Sequence, residues 1–214
     1  MILSPVRRSV VPPTMKSYQH AGSPFTEPRS QPWTDAADDP DARYHDLRAR
    51  PELIRTALED FAPWQRYPAI ETFYALVEWL NGASSPLETN DCAFTGPQPN
   101  PGAPRSKALE CTGRVMILFR ELTRNQDPAL LIELSRAIHV GLAARDRVFE
   151  WGAVGITTIP VLYRALPGPD QARLGEQLML SFWAWGPTEA ETMGHLGRVL
   201  RNLERALRDA TRSC

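Results

Sequence analysis

Two parts of this 214-residue chain concentrate side chains that could do chemistry. The first is 86–94, where Glu88 and Asp91 stand beside Thr89, Asn90 and Cys92. Read as a loop between two core helices, it offers Glu88 and Asp91 as an acid–base pair, with Arg114 as an opposing cation for a small anionic substrate. The plainer reading is preferred: Asn90 and Asp91 close a turn, and Leu87 and Phe94 pin it to the core. Cys92 has no histidine on an adjacent predicted element to activate it. Cys111 falls on an apolar arc and reads as a small core filler.

The second part is the last segment, 188–212. Met193, Leu196, Leu200, Leu203 and Leu207 recur at spacings of three and four, one stripe of a helix. Arg198, Arg201, Arg205, Arg208 and Arg212 occupy the opposite side, within roughly a quarter of the circumference. Guanidinium groups in such a row suit carboxylate or phosphate. Glu204 and Asp209 stand at helical spacing from Arg208 and Arg205, so part of the row is self-neutralised. Only two of the 24 basic residues are lysines, Lys16 and Lys107, so arginine is the chain's general cation and its choice at one site says little.

Metal and cofactor chemistry find little support. Glu191 and His195 share a helical face, but the repeated Glu-x-x-His of a carboxylate-bridged bundle is missing. His139 falls on the outward side of its helix together with Ser135 and Arg136. The acidic stretch 35–41 lacks the glycine and terminal glutamate of a calcium loop. Phosphate-loop, dinucleotide, zinc-protease and serine-elbow motifs are absent. No cofactor and no metal are expected.

The elements that would position these residues read as helices. One is expected from Pro51 to Phe61, a second from Pro68 to an Asn81-Gly82 stop, a third from Ser106 to Leu122 and a fourth from Asp127-Pro128 to Arg145. The stretch 151–168 fits a short strand or a short helix, and the helix is preferred. Another helix, apolar on most sides, spans 169–186, and Thr188 with Glu191 forms a capping box for the last. Trp79 points away from the buried arc of the second helix, so a further layer or a partner must cover it. The expected fold is therefore all-α: a single compact bundle of six to seven helices over 43–212. A disordered tail rich in Pro, Ser and Asp precedes it over 1–42. Met15 offers a second start site.

Net charge is −1, which argues against a general nucleic-acid coat. Three cysteines without a C-x-x-C pair point to a reducing compartment, and no apolar run is long enough to span a bilayer. No secretory leader is recognisable, so a cytoplasmic location is expected. The function expected first is a non-enzymatic protein-binding domain, in the manner of an immunity or adaptor protein. It would dock an acidic or mixed surface through Arg198, Arg201, Arg205 and Arg208, with Trp79 as an aromatic anchor. An enzyme using the 86–94 carboxylates ranks second, and nucleic-acid binding through the last helix third.

Overall fold

The computed structural model describes residues 25–26, 46–145, 149–163 and 166–212, with Phe25, Thr26, Asn90 and Asp170 described by backbone alone. The expected disorder of 1–42 lies outside the described residues, except Phe25–Thr26.

The all-α expectation is wrong. The described chain runs helix α1 (Pro68–Asn81), strands β2 (Leu87–Pro99) and β3 (Leu109–Phe119), helix α2 (Pro128–Arg145), strands β4 (Gly152–Leu162) and β5 (Leu174–Gly186), and helix α3 (Glu189–Arg212). With the short β1 (Phe25–Thr26), the strands form one sheet in the order β1-β4-β5-β3-β2, antiparallel except for β1 with β4.

Each correction has a local cause. The expected helix at 51–61 is two 3-10 turns, Pro51–Arg55 and Glu59–Trp64. Pro63 has no N–H to donate to Glu59, so an α-helix cannot continue there. The expected loop at 86–94 is β2. Its alternation is broken by register shifts between Thr89 and Asp91 and between Thr95 and Gln98, which hide the two-residue period. The expected helix at 106–122 is β3, and the preferred short helix within 151–168 is β4. The expected helix at 169–186 is β5. There Leu178, Leu180, Phe182 and Ala184 are buried, in alternation with Met179, Ser181, Trp183 and Trp185. Large apolar residues on both sides of a strand mimic a helix that is apolar all round.

The three long helices are where the sequence puts them. Thr188 Oγ1 accepts the Glu191 N–H at 3.3 Å and donates to Glu191 Oε2 at 2.7 Å at the start of α3. Asp127 Oδ1 accepts the Ala129 N–H at 2.9 Å at the start of α2. Met193, Leu196, Leu200, Leu203 and Leu207 are all buried. Ser135, expected to face outward on α2, is buried too.

The α3 helix is the middle one, packed on α1, on α2 and on β5. Close approach is built from small residues. A Cβ added to Gly197 would lie 3.6 Å from Ala69, and one added to Gly141 would lie 3.1 Å from the Ala206 Cβ. The helices cover one face of the sheet. Cys111, Val115 and Ile117 of β3 and Leu178, Leu180 and Phe182 of β5 join the helical stripes in one cluster. Phe182 meets Phe73 of α1 at 5.9 Å.

On the other face Leu118, Val161, Tyr163 and Leu166 form a smaller cluster at one end. Met116, Met179, Ser181, Trp183 and Trp185 continue this face toward the other end, half-buried. The two long edges differ. On β2, Phe94 donates its N–H to Asp60 Oδ2 (3.4 Å), and a Cβ on Gly96 would overlap the Trp64 ring. On β4, among the described residues, the strand on the outer side is β1, at Val161 and Leu162.

Candidate functional site

The register shift after Thr89 determines where the two candidate carboxylates go. Residues 88 and 91 are an odd number apart, so a regular strand would send them to opposite faces. With the shift, Glu88 pairs with Leu118 and Asp91 with Met116, and both lie on the face away from the helices. They do not act together. Glu88 is buried and meets Arg48 at 3.2 Å. Asp91 pairs with Arg114 at 2.7 Å, the cation named from sequence. Both carboxylates thus have cations of their own, on an edge strand of the sheet rather than on a loop. Cys111 is fully buried, and burial pushes its thiol up to about 12, the reverse of what a nucleophile needs.

The arginine row of α3 divides by partner. Arg208 stacks on the Trp79 ring at 4.6 Å and meets Glu204 at 2.8 Å. This answers the question Trp79 posed: a neighbouring helix covers it, so Arg208 and Trp79 are spent on packing α1 against α3. Arg198 lies over the Phe149 ring at 4.4 Å. Arg212 meets Asp209 at 3.3 Å, and Asp209 also binds Arg145 of α2. Arg201 and Arg205 are exposed and have no ion pair among the described residues. Arg136 of α2 is in the same condition.

Next to this face α2 is unusually apolar on its outer side. Val140 is 66% exposed and Ile132 43% exposed. Val140 adjoins Gly141, which abuts Ala206, the residue after Arg205. The outward surface of α2 and α3 therefore combines two aliphatic side chains with Arg136, Arg201 and Arg205, and with Glu133 as a nearby acid. The sequence reading found the arginines. It missed Ile132 and Val140, although apolar residues at i and i+8 beside Arg136 at i+4 are the readable signal of an apolar outer stripe.

A third group, also missed, gathers where β4 begins and β5 ends. The His195 ring stacks on Trp151 at 5.4 Å and meets Phe149 edge-on at 5.7 Å. His195 Nδ1 lies 2.6 Å from the Trp185 carbonyl. A carbonyl only accepts, so Nδ1 carries the proton of this bond. The Trp185 indole donates to Glu110 Oε2 at 2.6 Å, and Lys107 Nζ sits 5.0 Å from the Trp185 ring. Here the tertiary fold joins residues from β3, β5, α3 and the β2–β3 connection, so no local spacing announces them. The expected Glu191/His195 pair is thereby separated: Glu191 bonds Thr188, and His195 bonds Trp185. Among the described residues, no group of three or more His, Cys, Asp and Glu side chains is placed to hold a metal ion. No described helix is long and apolar enough to cross a membrane.

No protein-family model, no curated protein and no solved structure matches this chain.

Proposed function

We propose that this chain is a protein-binding domain whose docking face is the outward side of α2 and α3. The observation that carries the reading is that, among the described residues, Arg136, Arg201 and Arg205 stand exposed without an ion pair on the helix layer that also exposes Val140 and Ile132, while Arg145, Arg208 and Arg212 are held by carboxylates. Exposed aliphatic side chains together with arginines are the composition of protein interfaces, and guanidinium groups engage carboxylates in two-pronged fashion. The partner's surface would bring Asp or Glu side chains to the arginines and an apolar residue to Val140. Of the partner-binding residues named from sequence, Arg201 and Arg205 keep that role. Arg208 and Trp79 support the helix layer instead.

The test is site-specific photo-crosslinking from position 140 of the full chain in cells of its source. Binding of the captured protein is then measured for the parent chain and for Arg201→Glu/Arg205→Glu. The expected result is at least a tenfold loss of affinity in the charge-reversed chain with unchanged circular dichroism, and an association rate that falls as salt is raised. Equal affinity of the two chains would overturn the assignment. So would retardation of DNA or RNA by the parent chain that charge reversal abolishes, which would move the face to the nucleic-acid reading.

A further inference from the structure

The two faces of the sheet are covered unequally. The helices bury one of them in the main core. On the other, the Leu118 and Val161 cluster closes one end, where Arg48 also reaches Glu88. Beyond that end the strand registers place Met179, Met116 and Asp91 side by side at one level, and Ser181 and Arg114 at the next, with Trp183 following on β5. All six residues keep part of their surface in water, the three large apolar ones included. The surface they form is flat. An added Cβ on Gly155 would stand 3.2 Å from the Trp183 ring, so the indole lies down across β4. Arg114 bends sideways to Asp91 at 2.7 Å. A sheet with large apolar side chains on both faces is left with a second face to bury.

We infer that this face pairs with the same face of a second copy of the chain, the two sheets stacking as the inner layers of a symmetric dimer. Charge and area define the occupant. The Arg114–Asp91 contact uses Nε and Oδ2, and among the described residues the Arg114 Nη groups and Asp91 Oδ1 make no further hydrogen bond. A face that carries a cation beside a carboxylate, both with bonding capacity left, complements itself about a two-fold axis. An axis running across the strands between the Ser181 and Met179 levels puts each Arg114 at the level of Asp91 of the second copy, one strand spacing aside. Met179 and Met116 of each copy then cover Ser181 and Arg114 of the other. The footprint is four strands about 4.8 Å apart and roughly 25 Å along them, on the order of 500 Å² per copy or about 1,000 Å² for the pair. That is the lower end of specific interfaces, so the dimer dissociates on dilution. The arginine face on α2 and α3 lies across the helix layer and is independent of it.

The experiment is sedimentation velocity of the full chain from about 1 to about 200 μM, where an interface of this size is half-formed. The expected result is a monomer–dimer equilibrium within that range. Met179→Lys should raise the dissociation constant at least tenfold with unchanged circular dichroism. Arg114→Glu and Asp91→Arg should each do the same. An equimolar mixture of those two variants should recover dimers, because the new carboxylate of one copy meets the new cation of the other. An ion pair that acts only within one chain leaves the mixture monomeric, and that outcome overturns the proposal. Arg201→Glu/Arg205→Glu should leave self-association unchanged, so failure of the arginine face and failure of the sheet face are separately visible. A parent chain that stays monomeric at the highest concentration overturns the proposal. A dimer indifferent to both Met179→Lys and Arg114→Glu overturns it too, since it forms through another surface.

Discussion

Gly113→Ala separates the sheet from the helix that the sequence suggests for 106–122. In an exposed helix this change stabilises by about 1 kcal/mol, because glycine is the poorer helix former. In β3, Gly113 faces the helices opposite Phe182. An added Cβ would lie 2.4 Å from two atoms of the Phe182 ring and 2.8 Å from the Ala93 carbonyl oxygen. Carbon atoms pack at roughly 3.5–4.0 Å, so the ring must withdraw by about 1 Å or more. Phe182 is fully buried against Phe73, and the Ala93 carbonyl belongs to the neighbouring strand, so neither is free to move. Overpacking of this kind costs about 1–3 kcal/mol, and the lower chain entropy of alanine returns roughly 0.5–1 kcal/mol. The expected net loss is about 1–2 kcal/mol, or roughly 2–8 °C in Tm for a chain of this size. Urea unfolding followed by circular dichroism at 25 °C measures it. The double variant Gly113→Ala/Phe182→Leu should recover at least half, because the two sites share one space. A higher urea midpoint for Gly113→Ala would refute both the orientation of Gly113 and the packing built on it.

Three further outcomes are expected. Burial raises the Cys111 thiol to about 12 from an ordinary 9.0, so the folded state keeps a proton that the unfolded chain gives up. That stabilisation is complete below pH 9 and is lost as pH rises toward 12, with a slope approaching about 1.4 kcal/mol per pH unit. Cys111→Val should show a shallower decline in denaturant titrations between pH 8.5 and 10.5, and an equal slope would contradict the cause. Asn125, fully buried, accepts the Phe119 N–H at 2.8 Å and donates to the Phe119 carbonyl at 2.8 Å, closing the end of β3. Asn125→Ala orphans both backbone groups and should cost about 2–4 kcal/mol by urea unfolding, whereas a loss below about 0.5 kcal/mol would mean that water replaces the amide. Arg208→Ala removes the stack on Trp79 and the Glu204 pair, both partly exposed, and should cost only about 0.5–1.5 kcal/mol while changing Trp79 fluorescence. An unchanged emission spectrum would place Arg208 elsewhere.

How much of the candidate site could be read in advance follows from the range of each interaction. Asp91 with Arg114 was anticipated as opposite charges, but its cause was not. The pairing depends on β2 lying beside β3 with a shift after Thr89, a register that one residue of slip would change. Glu88 was expected to be available and is held by Arg48, forty positions away. Arg201 and Arg205 follow from helical periodicity alone, since a helix that buries Leu200, Leu203 and Leu207 must turn them to water. That they meet no carboxylate among the described residues depends on what α1 and α2 bring alongside, and so does the diversion of Arg208 to Trp79.

The sequence by itself determined α1, α2 and α3, with their starts at Pro68, Asp127-Pro128 and Thr188 and their buried stripes. A helix closes its hydrogen bonds four residues away and caps itself with neighbouring side chains, so its instructions are local. Only the tertiary structure decided the sheet. Leu109 finds its partner at Gly186 and Gly152 at Ala184, so nothing within a dozen residues distinguishes a strand apolar on both faces from a buried helix. The choice is made when Phe182, Val115 and Leu180 meet the stripe of α3, which one face of a sheet can bury and an isolated segment cannot.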